Sequence, residues 1–491
     1  MQKIGIKARI KNMERTLIKE AVKEIGKEVQ LSGWVDSYRD HGKLVFIDLR
    51  DRSGLVQIVG GNELKGLRSE YVVEIVGTVK KRPQNMINKK SITGTIEIEV
   101  EKSTILAKSK ELPFPLDTDG YKINEDIRLK YRYLDLRRSR MTKNLDIRYK
   151  VVKFIRDYFD KEGFIEIETP ILSKATPEGA RDFVVPSRLQ PGKFYALPQA
   201  PQQYKQLLMI AGFEKYFQIA RCFRDEDPRA DRAYGEFTQL DIEMSFVSQE
   251  DIFVLIEKLF KDIAEKVLHK KVLEYPFPRI SYQEAIKKYK TDKPDLRPDK
   301  RDPNVLAFCF VYDFPLFEWK KEDKRWDSMH HPFTAPKEKD ISLLDKDPGK
   351  VHSYQHDFVL NGFEVGGGSL RISDPDLQEK IFEILGHDKK QVKKKFGHLL
   401  EAFKYGVPPH GGIAPGIDRF LMVALGEKSL REVIAFPMNS SGKTSVMDAP
   451  SEIDREQLKE VKLASLVKKG RDKEDDSLFE KIVKIIDDEE K

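Results

Sequence analysis

The stretch 216–246, YFQIARCFRDEDPRADRAYGEFTQLDIEMSF, constrains this chain more than any other. It reads as two strands joined by a loop that crowds both charge signs together. In the second strand Leu240, Ile242, Met244 and Phe246 share one face. Phe237, Gln239, Asp241 and Glu243 share the other, because successive side chains of a strand point to opposite sides. A surface hairpin with one solvated face is the plain reading of such alternation. The content of the polar face argues for more. It holds an aromatic ring, an amide and two carboxylates, while Arg224, Arg229 and Arg232 sit at the mouth of the hairpin. That set suits a ligand carrying phosphates, a flat base and an amino group.

The body around this hairpin is large: 491 residues suggest about three domain-sized units. Hydrophobic residues make up 40% and charged residues 34%, which fits a soluble protein with a packed core. No apolar run approaches the roughly 20 residues of a membrane span. The opening MQKIGIKARIKNMERT has no apolar signal core, so a cytoplasmic location is expected. Cys222 and Cys309 are too few for a disulfide framework or a zinc cluster, and no zinc is expected.

The net charge of +7 is unevenly spread. Residues 1–110 hold 22 Lys and Arg against 14 Asp and Glu, so the N-terminal fifth carries the whole surplus. A basic domain on a nearly neutral body points to a polyanionic partner at that end. Five short strands are expected there, at 29–35, 43–49, 55–59, 71–80 and 94–100, which suits an OB-type barrel. Val45, Ile47 and Leu49 share one face of the second strand; Phe46 shares the other with Asp48 and Arg50. An aromatic on the polar face of a basic barrel is either ordinary core or a platform for a stacked base.

A second hairpin is legible at 357–364, with Asn361-Gly362 as a two-residue turn. Leu360 then pairs with Phe363 and Val359 with Glu364, which makes Asp357 and Glu364 diagonal neighbours on one face. Two carboxylates that close repel unless a cation lies between them, and Mg²⁺ takes one or two carboxylates together with substrate phosphates. Gly366, Gly367 and Gly368 leave backbone beside the pair that a phosphate could approach. In an unbroken strand Arg371 would face away from Glu364; a bulge near Gly367 is expected to bring both to one side.

Phe223-Arg224-Asp225-Glu226-Asp227, then Arg229-Ala230-Asp231-Arg232, then Glu236-Phe237-Thr238-Gln239 up to Glu243, closely resemble motif 2 of the class II aminoacyl-tRNA synthetases. The bacterial-type aspartyl-tRNA synthetases are the most similar, over about residues 15–450. The resemblance implies an α+β chain: an N-terminal OB-type barrel plus a class II catalytic domain built on an antiparallel β-sheet flanked by helices. It divides the chain into an anticodon-binding domain at 1–110, a connector at 111–141, a catalytic domain at 142–450 and a charged extension at 451–491. Relatives normally carry a domain-sized insertion between motifs 2 and 3; here it is reduced to about 290–306. No role is assigned to the amphipathic tail at 478–486.

Site roles follow from the same resemblance. In the barrel, Phe46 matches the aromatic that stacks on the anticodon, and Arg39, Gln57 and Glu97 match anticodon-contacting positions. Ser37 and Tyr38 depart from the arginines often found there. The helix expected at 144–162 and the strand expected at 164–169 match motif 1, which implies a homodimer. Glu178, Gln202, Lys205, Asp241, His330 and Arg371 are implied to bind aspartate, with Arg371 meeting its side-chain carboxylate. Ala200 stands where relatives commonly carry serine. Glu226 and Phe237 would meet adenine, and Arg224 the α-phosphate. Arg419, in the first turn of the helix that follows Gly411, would bind the γ-phosphate, and Asp357 and Glu364 would hold Mg²⁺ on ATP.

The implied activity is a ligase that activates L-aspartate with ATP to aspartyl-adenylate, releasing pyrophosphate, and transfers the aspartyl group to tRNA-Asp. Whether tRNA-Asn is also charged stays open; His41, just before the Phe46 strand, stands where histidine often accompanies relaxed enzymes. A noncatalytic tRNA-binding or amidating paralogue is the rival. The retained arginines argue against the first and the retained barrel against the second.

Overall fold

The computed structural model describes residues 13–89, 91–175, 179–227 and 234–463. It divides into two compact units, Met1–Pro115 and Leu116–Lys491. In the first, β1 (Glu28–Asp40), β2 (Val45–Asp51), β3 (Gly54–Gly60), β4 (Val72–Lys81) and β5 (Ile96–Ala107) close into a barrel in the order β1-β2-β3-β5-β4. Val45, Ile47 and Leu49 are fully buried inside it, as the alternation requires. β1 and β5 outrun the sequence pattern, which ended at Val35 and Val100. Their backbone ladders continue to Asp40 and Ala107, past a register shift in each, where side chains no longer alternate.

In the second unit two short helices, Glu125–Lys130 and Arg132–Asp135, lead into α1 (Ser139–Lys161). α1 starts five residues before the expected 144, and Gly163, at φ +77°, closes it. The strand expected at 164–169 is only β6 (Ile165–Glu166). It is an edge strand that pairs in parallel with Tyr216 and Phe217 alone, and Ile165 is half exposed.

The chain continues through α2 (Gln202–Ile210), β7 (Lys215–Arg224), β8 (Gly235–Ser245), α3 (Gln249–Asp262), β9 (Arg279–Ser281), α4 (Tyr282–Tyr289), β10 (Phe308–Tyr312), β11 (Gln355–Leu360), β12 (Phe363–Leu370), β13 (His410–Pro415) and α5 (Ile417–Leu425). Eight of its strands form one sheet in the order β9-β10-β11-β12-β13-β8-β7-β6. Its inner pairs are antiparallel and both edge strands join in parallel. Leu240, Ile242, Phe308 and Phe358 from the sheet pack with Phe159 of α1, Phe260 of α3 and Phe420 of α5. Burying these rings on one face leaves the other for polar residues. Phe246, expected on the apolar face of β8, lies past its end: the strand stops at Ser245, and Phe246 has φ +59° and is 66% exposed.

The β11–β12 hairpin has the expected turn, with Asn361 at φ +49° and Gly362 at φ +88°. Leu360 pairs with Phe363 and Val359 with Glu364. The register then shifts, so that Phe358 meets Gly366 and Asp357 meets Gly367. The bulge is therefore at Val365, two residues before the expected place. One extra residue is what puts Glu364 and Arg371 on the same face. Gly366 and Gly367 line the cavity beside the acid pair, and Gly366 and Gly368 also pack closely against β13. A Cβ on Gly366 would lie 2.7 Å from the Pro415 Cα, and one on Gly368 would lie 2.3 Å from the Gly412 carbonyl oxygen.

Candidate active site

The polar face of β8 is the floor of a cavity of about 280 Å³. Gln202, Lys205, Arg224, Glu226, Phe237, Asp241, His330, Glu364, Arg371 and Arg419 all line it. They come from α2, β7 and the loop after it, β8, the loop before β11, β12 and the residue just past it, and α5, far apart in sequence. Glu178, Arg229 and Arg232 lie outside the described residues, as does the tail at 478–486.

At one end four charges interlock. Lys205 Nζ lies 2.8 Å from Asp241 Oδ1 and 3.1 Å from Glu243 Oε2. Arg371 donates from Nε and Nη2 to the two oxygens of Glu243, at 2.9 and 3.0 Å. Its Nη1 donates to Ser369 Oγ at 2.6 Å and lies 2.8 Å from His331 Nε2. All four charged groups are buried, and burial alone would push both acids up. Burial is the largest influence on Glu243, yet Arg371 and then Lys205 overcome it and hold the carboxyl at about 2. Asp241 is different: burial wins over Lys205 and its carboxyl is raised. Its Oδ2 has no hydrogen-bond partner. A buried acceptor left unmatched beside two cations is a place for a ligand's ammonium group.

At the other end the Arg224 guanidinium lies 4.9 Å from the centre of the Phe237 ring, and its Nε donates to the Gln199 carbonyl at 3.3 Å. Arg419 donates from Nη1 to the Glu364 carbonyl at 2.8 Å. Asp418 accepts from the Thr238 amide at 2.8 Å and pairs with Arg148, tying the start of α5 to β8. Between the two ends, Asp357 Oδ1 and Glu364 Oε1 lie 3.5 and 3.8 Å from the Cβ position of Gly367. Burial, then Glu364, pushes the Asp357 carboxyl well up. Two acids that near, one raising the other, fit the donor set of a divalent cation bound with phosphates. Among the described residues, no group of three or more His, Cys, Asp or Glu is placed to hold a metal by itself.

Sequence reasoning passed over some neighbours. Glu243 was visible on the polar face but carried no role; its spacing from Asp241 was the signal. Lys293, whose Nζ lies 3.1 Å from Glu364 Oε2, gave no signal, being one lysine in a polar connection.

In the first unit a second cluster lies on the outer face of the barrel. Arg39 pairs across strands with Phe46, and its Nη2 lies 3.0 Å from Asp48 Oδ2. Gln57 donates to Glu97 Oε2 at 3.2 Å. The exposed His41 ring stands edge-on to Phe46, with centroids 5.6 Å apart. The five predicted barrel residues thus gather in one patch.

Residues 124–440 match the model for tRNA synthetases class II (D, K and N), and residues 29–106 match an OB-fold nucleic acid binding domain. The chain belongs to the class II tRNA synthetases. An aspartate–tRNA(Asp/Asn) ligase of Dehalococcoides mccartyi (strain CBDB1) is 42% identical, covering 89% of this synthetase and 96% of the relative. One from Dictyoglomus turgidum is 43% identical, over 92% and 98%. The first alignment runs over 578 positions but uses 89% of 491 residues, leaving about 140 positions of the relative facing gaps here. Among solved structures, asparaginyl-tRNA synthetase of Pyrococcus horikoshii with asparaginyl-adenylate superposes with TM-score 0.70 at 25% identity, over 86% of this chain and 98% of that one. Aspartyl-tRNA synthetase of Entamoeba histolytica, at 23% identity, has the same fold, with TM-score 0.69 over 87% and 91%.

Proposed function

We infer that this synthetase activates L-aspartate with ATP and transfers the aspartyl group to tRNA-Asp, with tRNA-Asn as a second acceptor. The observation that carries the reading is the paired-charge end of the cavity, where Lys205, Arg371, Asp241 and Glu243 interlock. Two cations and an unmatched acceptor suit a small amino acid with two carboxylates and one ammonium group. The names of the relatives point the same way and are the support for tRNA-Asn.

In the first step a carboxylate oxygen of aspartate attacks the α-phosphorus of ATP and pyrophosphate leaves. In the second, a hydroxyl of the terminal ribose of tRNA attacks the aspartyl carbonyl and AMP leaves. Little acid–base help is needed; alignment and charge neutralisation dominate. Arg224 holds the attacking carboxylate against the α-phosphate. Phe237 stacks on adenine and Glu226 meets its edge. Arg419 draws the pyrophosphate toward the start of α5. Asp241 and Glu178 accept from the α-ammonium; Lys205 and Arg371 neutralise the side-chain carboxylate, with Gln202 and His330 shaping its surroundings. Asp357 and Glu364 hold Mg²⁺, which supplies positive charge to the phosphates when bound. In the barrel Phe46, Arg39, Gln57, Glu97 and His41 meet the anticodon. The connection at 290–306 takes the place of an insertion. Two copies associate through α1 and the segment after it, a reading supported by the exposed Tyr149, Ile165, Ile171 and Leu172.

Aspartate-dependent exchange of pyrophosphate into ATP, followed by charging of purified tRNA-Asp, tests the reading. Exchange and charging are both expected. No exchange with aspartate would overturn it; exchange without charging would point to an amidating relative.

A further inference from the structure

The two oxygens of Glu364 face different partners. Oε1 looks toward Asp357 across Gly367, the side on which a divalent cation would lie. Oε2 is 3.1 Å from the ammonium of Lys293. Lys293 belongs to the connection after α4, and that connection is fixed against the hairpin turn. Its amide donates to Thr291 Oγ1 at 3.1 Å. Two residues on, Asp295 accepts the Arg297 fork at 3.0 and 2.8 Å, and Arg297 also donates to the Asp302 carbonyl at 3.1 Å. The Asp295 Cβ and the Lys293 carbonyl lie 3.4 and 3.9 Å from the Cβ position of Gly362 in the turn. The ammonium is thus delivered to Glu364 by a braced segment.

Charge decides what this does. With both carboxylates ionised, as ligation of a cation requires, Asp357 and Glu364 bring two negative charges to one place, and Lys293 returns one. A bare divalent cation entering would set two further positive charges beside the ammonium, in a partly buried site where water screens weakly. With a triphosphate present, the added negative charge accommodates both cations. Resting on the reading of Asp357 and Glu364 as cation ligands, we propose that Lys293 is a built-in counter-ion that makes this site take its divalent cation together with the nucleotide rather than ahead of it. Lys293 is a positioning and charge-setting residue; it need not touch the reacting atoms.

The test is Mn²⁺ binding to the full-length protein, read from the loss of the free-ion electron paramagnetic resonance signal. Lys293→Gln should bind Mn²⁺ about tenfold more tightly than wild type without nucleotide, a change of about 1.4 kcal/mol. Lys293→Arg should match wild type, and adding Glu364→Gln to Lys293→Gln should remove the gain. With a non-hydrolysable ATP analogue the gap between Lys293→Gln and wild type should narrow to within about threefold. Folded Lys293→Gln protein that binds bare Mn²⁺ no more tightly than wild type overturns the proposal, as does a gap that persists undiminished with the analogue. If Glu364→Gln alone leaves Mn²⁺ binding with the analogue unchanged, the ligand reading itself falls, and that result is separable from the first.

Discussion

At the scale of single residues, the site is a set of charges whose states are fixed by neighbours. Arg224 lines the cavity against the Phe237 ring, at the end away from the paired charges, where the proposed reading sets it on the α-phosphate. Its replacement by alanine should lower the rate of pyrophosphate exchange about 10²–10³-fold, the usual cost of losing a transition-state donor. Near-normal exchange would remove Arg224 from the mechanism. Four histidines set the acid limit of the fold. Burial is the first cause in each: it drives His330 and His356 down to about 3, and it lowers His331 and His410 as well. Each binds its proton more readily in the unfolded chain, so the stability they contribute is complete above about pH 6.5. It is lost as pH falls toward 3, by about 1.4 kcal/mol per pH unit for each unmatched proton. Asp241 and Asp357, both raised, act in the opposite direction, but burial also lowers His387 and His398, so they are two against six. Urea unfolding should therefore show the midpoint of the catalytic unit falling steadily between pH 6.5 and pH 5. A flat profile would mean that these rings do not titrate on unfolding.

Among the elements, the β11–β12 hairpin carries the most information, and it shows what a sequence reveals and what it withholds. Asn361-Gly362 announced the turn and, through it, two rungs of register, because a two-residue turn leaves no freedom in which residues pair. The parity conflict between Glu364 and Arg371 even announced that a bulge must exist. Its place at Val365 was not legible, since it depends on how closely Gly366 and Gly368 approach β13, a strand more than forty residues away. The same limit explains β6, where a run of strand-forming residues finds only two partners at the sheet edge. Lys293 was hidden for a related reason: its partner is chosen by a loop path, which has no periodicity. The hairpin also yields a stability prediction. Asp357 is raised by burial and by Glu364, so its charged form costs stability at neutral pH. Asp357→Asn keeps an acceptor for the Gln355 amide, now 3.3 Å away, and removes the charge. The nucleotide-free protein should gain about 1–3 kcal/mol, while exchange should require more Mg²⁺. Lower stability with an unchanged Mg²⁺ titration would make Asp357 an ordinary buried acid.

For the whole molecule, the two units differ in how much of their work the sequence exposes. The barrel was readable from alternation and turn residues, because a barrel imposes a period of two; the large sheet came from the family resemblance, since strands such as β11 are buried on both faces and do not alternate. Selection of the tRNA is finer. The anticodons for Asp and Asn differ only at the third base, so on the proposed reading discrimination would rest on a few contacts in the barrel patch. His41 stands at the edge of that patch, exposed, with its ring 5.6 Å from the ring of Phe46. A polar ring there can donate to or accept from a base, and so tolerates bases with different edges. Leucine at this position keeps the bulk against Phe46 but offers no hydrogen bond. Only about 1.4 kcal/mol separates a tenfold change in preference, which is within what one such contact supplies. His41→Leu should therefore keep charging of tRNA-Asp within a few-fold of wild type and cut charging of tRNA-Asn about tenfold. Both purified tRNAs are to be compared on wild-type and variant protein, at equal salt because phosphate contacts are salt-dependent. Wild-type protein that charges tRNA-Asp and leaves tRNA-Asn untouched would end the relaxed-specificity reading. Equal losses on both tRNAs would show that His41 supports the barrel face rather than choosing between anticodons.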